Sequence, residues 1–508
     1  MAAYHLSLLL LIPAIGAVVV CLLPSERDRL LKWTAFIASL ATFLWSAVLF
    51  RNFDNQAGSF QMVEQADWFR AAGFQVQYFL GLDGISLLLV LLTTVLIPLA
   101  LLSSWNLKDR LKLYLASILL LEVGILGVFL ALDLILFYVF WEVSLIPMYF
   151  LIGIWGSQRR IYAAVKFFIY TMAGSLLMLA GIVILYFLLG TGNFDLVEMI
   201  GILKRGEAVL SPGVETLLFG LFFVAFAVKV PVFPLHTWLP DAHTEAPTAA
   251  SVILAGVLLK MGAYGLLRFC LPLFPSASVQ LAPTVCVLAL IGIIYGALVA
   301  MVQPDLKRLV AYSSVSHLGF VVLGIFSFNF QSMEGAAYQM LNHGVSTGAL
   351  FLLVGILYER RHTRRVDEFG GLAHSMPRYS ACFFVVLLGS IGLPGLGGFV
   401  GEFLILQGTF LTNVPAAAVA VCGVVLSAAY MLWMYQRVFL GRVEKEANRR
   451  LPDLSFREGA MLIPAIALSL WMGIGSGAFL RTMDTSIQQL VDRLNQDQHE
   501  QVVRSDAP

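Results

Sequence analysis

Seven ionisable residues stand in this chain where an apolar helix would ordinarily carry leucine. Glu142, Lys229, Lys260, His317, His343 and Glu402 each fall within an apolar run, and His236 follows just past a proline-broken one. A charge at the centre of a bilayer costs about 2.5–3.5 kcal/mol on insertion scales. Glu142, Lys229, Lys260 and Glu402 together would therefore cost on the order of 10 kcal/mol, comparable to the net stability of a whole domain. Carboxylates, amines and imidazoles have one chemistry in common: each takes up and gives back a proton. A carboxylate beside a buried lysine holds the lysine's proton, and separating the two releases it. A Glu142–Lys229 pair would therefore load and unload as a coupled unit. Structural salt bridges would explain one such pair, but not a series of groups on successive helices.

The residues around these groups support the same chemistry. Lys229 is followed by Pro231 and Pro234, which remove backbone donors and break the helix beside the charge. Freed carbonyls at membrane depth are tolerated only where they line a wet cavity or packed protein. The run Gly392–Gly398 precedes Glu402 in the matching place of the second half, with the charge reversed. His236 begins the stretch His236-Thr237-Trp238-Leu239-Pro240-Asp241-Ala242-His243, and an imidazole titrating near neutrality suits proton hand-off. His243 reads as a hydrogen-bonding residue at the surface. With His236 it lacks a third soft ligand for zinc. The five cysteines form no CxxC pair, which argues against disulfides, iron–sulfur sites and structural zinc. Gly-rich nucleotide loops and flavin motifs are absent, so the chain does not itself oxidise a nicotinamide.

The elements that must hold these groups follow from composition. Hydrophobic residues make up 59% of the chain and charged residues 12%, against about 25% charged in soluble domains. A helix needs about twenty apolar residues to cross the hydrocarbon. That length predicts spans near 4–23, 30–50, 79–103, 111–131, 134–155, 163–190 and 215–238. Seven more fall near 248–271, 280–302, 308–328, 335–358, 378–411, 414–440 and 458–480. The first is expected to be retained, since it lacks the basic flank and cleavage site of a signal peptide. The twelfth is too long for one helix and should break at its Gly/Pro run. The segment 51–78 alternates Phe74, Val76 and Tyr78 and suits a strand or hairpin. The tail places Ile487, Leu490, Val491 and Leu494 on one face of an amphipathic helix, on the outer surface or on a partner.

Lys and Arg gather in alternate loops, after spans one, three, five, nine, eleven and thirteen, while the intervening loops carry only Arg51, Arg70, Lys204 and Arg205. The positive-inside bias then turns the basic loops to the cytoplasm and puts both termini outside. Asp133-Leu134 with Val143-Ser144 recurs 172 residues later as Asp305-Leu306 with Val315-Ser316, and Gly124 recurs as Gly296. Five spans per copy would invert the second copy, an architecture of transporters with broken helices. The expected fold is an all-α integral membrane protein of about fourteen transmembrane helices, with two inverted five-helix repeats and broken helices 7 and 12. Its parts would be 1–110 (spans 1–3), 111–272 (first repeat), 279–440 (second repeat) and 441–508 (span 14 and the tail).

Phe140-Trp141-Glu142, the stretch Ala227 to His243 with Lys229-Val230-Pro231, and Ala246-Pro247-Thr248 closely resemble the antiporter-like subunits of proton-pumping NADH:quinone oxidoreductase, respiratory complex I. Asp305-Leu306-Lys307-Arg308 with Ser316-His317 is similar to the same family. Glu402, where sister chains resemble one another in having Lys, and an end soon after span fourteen point to the M group, counterpart of mitochondrial chain 4. The resemblance implies proton translocation coupled to quinone reduction elsewhere in the complex. It implies that Glu142 and Lys229 form the charge-coupled pair and that Lys260 links them to the cytoplasmic side. His236, His317 and His343 would extend a hydrophilic axis toward Glu402. NADH, FMN, iron–sulfur clusters and quinone would sit on partner subunits, with none on this chain. Sister chains L and N would be neighbours in the membrane. Two other readings share parts of the pattern: a subunit of a multi-subunit cation/proton antiporter without redox chemistry, and a non-transporting membrane scaffold.

Overall fold

The computed structural model describes residues 4–71 and 73–505. Thirteen helices among them are long and apolar enough to cross a membrane. Spans one to six are His5–Leu22, Asp28–Arg51, Gly84–Ser103, Leu111–Leu130, Leu134–Trp155 and Arg160–Leu189. Pro212–Lys229 opens span seven, which resumes after an interruption as Trp238–Glu245. Thr248–Leu273, Pro275–Met301, Leu306–Ile325 and Phe330–Arg361 are spans eight to eleven. Val414–Phe439 and Phe456–Ile474 are spans thirteen and fourteen. Span twelve is the broken crossing, Pro377–Ser390 and Gly397–Thr412, neither of which is long enough alone. The break is made where Gly392 and Gly395 take φ of +78° and +93°, values that suit a residue without a Cβ.

Chain direction sorts the connections onto two faces. One face holds the antiparallel hairpin β1 (Gln61–Ala71) and β2 (Phe74–Leu82); the opposite face holds the Lys/Arg-rich connections. Span three begins at Gly84 rather than near 79. Phe79–Leu82 are apolar but belong to β2, and Asp83 closes a capping box by accepting from Ser86 N at 2.9 Å. Span one is capped from a distance. Glu64 of β1 accepts from Leu6 N at 2.6 Å and from Ser7 N at 3.0 Å, placing negative charge at a helix N-terminus. The tail is helical over Gly477–Ser505. It lies on its own chain, with Ile487, Val491 and Leu494 buried and Leu490 half-buried. Ser486 Oγ accepts from Gly84 N at 3.2 Å, and Gln489 donates to Gly58 O at 2.6 Å.

Residues 172 apart make the same contacts on opposite faces. Asp133 caps span five by accepting from Ile135 N and Leu136 N at 2.9 and 3.0 Å. Asp305 caps span ten by accepting from Lys307 N and Arg308 N at 2.8 and 3.1 Å. Each also forms a single antiparallel bridge, Asp133 to Asp195 and Asp305 to Arg365. Gly124 and Gly296 let the helices close: a Cβ on either would come within 2.8 Å of Ser144 N or Ser316 N. The cap sites differ in charge. Asp305 has Arg364 Nε at 3.1 Å. Asp133 pairs with no cation among the described residues, and burial pushes its carboxyl up to about 6 despite the backbone donors it accepts from.

Spans three, four, eight, ten and eleven form the interior. Spans one, two, six, nine, thirteen and fourteen present apolar faces outward, as a bilayer solvent requires. Span eight is wholly buried and irregular: its turns Leu254–Leu258 and Leu266–Cys270 are π-helical on either side of Leu259–Gly265, which carries Lys260. π-turns of this kind recur at functional positions in helices.

Candidate functional site

The second half of the chain brings four of the expected residues into one buried line. Lys260 is fully buried. Its Nζ donates to Ala255 O, a carbonyl of the first π-turn, and lies 2.7 Å from His343 Nδ1 of span eleven. The rings of His343 and His317 follow, 6.1 Å apart by centroid, with no hydrogen bond between them. His317 Nδ1, on span ten, lies 2.6 Å from Glu402 Oε1 in the second half of broken span twelve. Gln339 Nε2 donates to the same carboxylate oxygen at 2.9 Å, and Asn342 in turn donates to Gln339 Oε1 at 3.1 Å. Ser427 Oγ stands 3.5 Å from the other His317 nitrogen. Four helices thus contribute to a chain of titratable groups flanked by amides.

The first half holds Glu142 and Lys229 differently from the expected ion pair. No salt bridge joins them, although Glu142 is the charge that acts on Lys229. Lys229 Nζ is buried without a hydrogen-bond partner and sits 4.9 Å above the Trp141 ring. A cation there gains from the ring's negative face. Glu142 Oε1 is buried and unpartnered as well. Lys229 ends the first segment of span seven, and Trp238 Nε1 donates at 2.9 Å to Val228 O, a carbonyl that the break leaves open. On the far side of the break Lys166 holds the second segment, meeting Asp241 at 2.6 Å and Thr237 O at 2.9 Å. His236 stands apart from the line: it stacks on Phe233 and meets Tyr295 edge-on.

Three groups were not singled out by sequence reasoning. Glu122 of span four is fully buried, and neither carboxyl oxygen has a hydrogen-bond partner. The signal was the same as for Glu402, a carboxyl within an apolar run, but Glu122 belongs to no pair or motif. His243 is not at the surface. The helix Trp238–Glu245 folds it into the bundle, where it is fully buried, stacked on Phe351 at 4.6 Å, and unpartnered at both nitrogens. Lys307, counted among the loop cations, is the second residue of span ten and is buried with its Nζ on Ala246 O. At the hairpin end, Arg268 of span eight meets Asp83 at 2.5 Å. Burial there would raise the Asp83 carboxyl, but the guanidinium holds it below the usual range.

This arrangement can move protons. Each successive group along Lys260, His343, His317 and Glu402 alternates between two protonation states, and the breaks in spans seven and twelve leave polar backbone at membrane depth. A family model described as NADH:quinone oxidoreductase/Mrp antiporter, transmembrane, matches residues 131–427, a stretch that holds Glu142, Lys229, Lys260 and Glu402. The chain is 45% identical over 503 residues to NADH-quinone oxidoreductase subunit M of Rhodobacter capsulatus, covering 97% of each. It is 44% identical over 490 residues to NADH-ubiquinone oxidoreductase chain 4 of Arabidopsis thaliana, covering 96% of this chain and 97% of that one. Among solved structures, it is similar to a chain of respiratory complex I from Thermus thermophilus with bound NADH, at a TM-score of 0.88 and 33% identity, covering 96% and 99%. A chain of the Mrp complex from Dietzia sp. shares the fold at a TM-score of 0.83 and 23% identity, covering 96% and 98%.

Proposed function

The chain belongs to the NADH:quinone oxidoreductase/Mrp antiporter membrane family, and from that premise we propose that it is a proton-translocating membrane subunit of NADH:quinone oxidoreductase, carrying protons on its own side chains and no redox centre. The observation that carries this reading is the buried line Lys260, His343, His317 and Glu402, with its two short contacts of 2.7 and 2.6 Å. Glu142 and Lys229 act as the charge-coupled switch that loads the line. His236, in the break of span seven, is a supporting group for the first half.

The wider assignments rest on this reading. NADH, FMN, iron–sulfur clusters and quinone belong to partner subunits, and sister chains L and N flank this one in the membrane. The basic face is cytoplasmic by the positive-inside bias, which puts both termini outside. Residues 1–110 are a leading unit, 111–272 and 279–440 are inverted copies, and 441–508 close the bundle. The matched caps of Asp133 and Asp305 support that division. A stand-alone antiporter subunit is the weaker reading. Among the solved structures, the complex I chain is 33% identical and the Mrp chain 23%, each over 96% of this chain.

The test is NADH-driven proton uptake by inverted membrane vesicles, normalised to assembled complex. Lys260→Ala should lose most of the uptake and slow quinone reduction in parallel, because a blocked pump holds back the electron transfer that drives it. Lys260→Arg should retain more than the Ala variant, since it keeps a cation for its neighbours while titrating poorly. Uptake at the wild-type rate in Lys260→Ala would remove the proposal.

A further inference from the structure

We propose that Glu334 and Asp484 form the proton-release pair of this chain, two carboxyls that share one proton between span eleven and the tail helix on the hairpin face. The proposal rests on the relay above, which brings a proton as far as Glu402, and it adds where that proton goes next.

Glu334 is the fifth residue of span eleven and is 7% exposed. Asp484 belongs to the tail helix Gly477–Ser505. Their side chains are hydrogen-bonded to one another. A bond between two carboxyls needs a proton on one of them, and two carboxylates that close do not both stay ionised. Asp484 Oδ1 is buried without a hydrogen-bond partner, which leaves it open to a second proton. The other charged groups on the packed elements are engaged or distant. Arg481 and Asp492 of the tail are exposed, as is Asp54 of the loop that Thr485 meets. Arg493 is nine residues further along the tail, about 13.5 Å by helical rise. Asp83 at the start of span three is paired with Arg268 at 2.5 Å. Span nine carries no Asp, Glu, Lys or Arg, and Arg457 and Glu458 of span fourteen are at its opposite end.

The pair lies between Glu402 and the hairpin face. Gln339, which donates to Glu402 at 2.9 Å, is five residues inward of Glu334, about 7.5 Å along span eleven. Glu334, Tyr338 and Asn342 follow at intervals of four on one face of that helix. Asn342 donates to Gln339 at 3.1 Å, and its own Oδ1 is unpartnered. Tyr338 donates its hydroxyl to Met472 O of span fourteen, and its ring centroid lies 6.3 Å from that of Phe479 in the tail. Polar groups therefore continue from Glu402 toward Asp484, on the face of span eleven that meets the tail. The step balances as follows. Protonated Glu402 gives its proton through water to the pair and is left a carboxylate. The pair, now with a proton on each carboxyl, gives one to water on the hairpin face as hydronium and returns to one shared proton.

The test uses the assembled complex in inverted vesicles, reading NADH-driven proton uptake and quinone reduction. The double variant Glu334→Gln/Asp484→Asn pairs two amides, which keeps a tie between the tail and span eleven but holds no proton. It is expected to slow both readouts roughly ten-fold or more. The swap Glu334→Asp/Asp484→Glu keeps both carboxyls and their combined length, and should stay within about two-fold of wild type. In infrared difference spectra between acid and alkaline buffer, Glu334→Gln should lose one carboxylic-acid stretch that the wild type shows. Wild-type rates in the amide pair overturn the proposal, and so does an infrared spectrum that Glu334→Gln leaves unchanged. A swap as slow as the amide pair marks the place as packing and also overturns it. The relay itself falls only if Lys260→Ala still pumps, so the two failures are distinguishable.

Discussion

His317 Nδ1 lies 2.6 Å from Glu402 Oε1, and the other oxygen of the same carboxyl faces the break in span twelve, where a Cβ on Gly392 would stand 3.5 Å from Oε2. Glu402 therefore has one oxygen toward the buried line and one toward interrupted backbone. A carboxyl so placed can take a proton from one side and release it on the other.

Glu402→Gln should assemble, because an amide can keep contacts with His317 and Gln339, yet it should lose most NADH-driven proton uptake. Glu402→Lys should keep substantial uptake, since an amine also carries one proton per cycle, provided that Gln339 turns its carbonyl toward the new donor. Uptake at the wild-type level in the Gln variant would show that protons leave by a route that avoids this carboxyl.

Glu142 and Lys229 act on one another without touching, which makes the pair sensitive to reach. Glu142→Ala and Lys229→Ala should each suppress proton uptake and quinone reduction together. Glu142→Asp should retain an intermediate rate, its charge surviving at greater distance. The measurement is uptake per NADH oxidised in vesicles with matched amounts of complex, and full rates in Lys229→Ala would exclude the switch.

Glu122 offers a test that separates stability from turnover. Its carboxyl is buried with no hydrogen-bond partner, and each such group costs about 1–3 kcal/mol. Glu122→Leu should raise the thermal unfolding midpoint of the detergent-solubilised complex and lower the rate of proton uptake. A lower midpoint would mean that the carboxyl is held by an interaction Leu cannot replace.

Asp133 gives a pH dependence with a definite sign. The folded carboxyl keeps its proton up to about 6, while an ordinary aspartate releases it near 3.8. The folded state thus binds the extra proton, and this group's contribution is complete below about pH 4 and lost as pH rises through about 6. The loss is on the order of 3 kcal/mol. Asp133→Asn keeps the cap and should flatten that loss, so unfolding midpoints of variant and wild type should diverge between pH 4 and pH 7. Parallel curves would place Asp133 in water.

Fourteen crossings, two of them broken, could be read from apolar length and from where Gly and Pro interrupt it, because the bilayer sets one length for all spans. The start of span three could not. Phe79–Leu82 are as apolar as a helix, and only the Asp83 to Ser86 cap separates strand from span. Lys260, His317, His343 and Glu402 stood out because a lone polar group in an apolar run is expensive whatever surrounds it. What surrounds each one depends on helix rotation and packing, which spacing alone does not determine. His243 was hidden by a polar neighbourhood, Thr237 to Thr244, that reads as surface and folds inward. The Trp141 ring beneath Lys229 belongs to the same physics: the residue was visible, but its partner was not.

The missing contacts in this line matter as much as the short ones. Glu142 and Lys229 do not bond, and the His343 and His317 rings, with centroids 6.1 Å apart, share no hydrogen bond. A hydrogen-bonded wire running without interruption from face to face would be an ohmic leak. Every proton sliding back through it would surrender about 2.3 kcal/mol per 100 mV as heat. On the relay proposed above, a gap at each of these places would keep the resting chain from conducting until the two are bridged in turn.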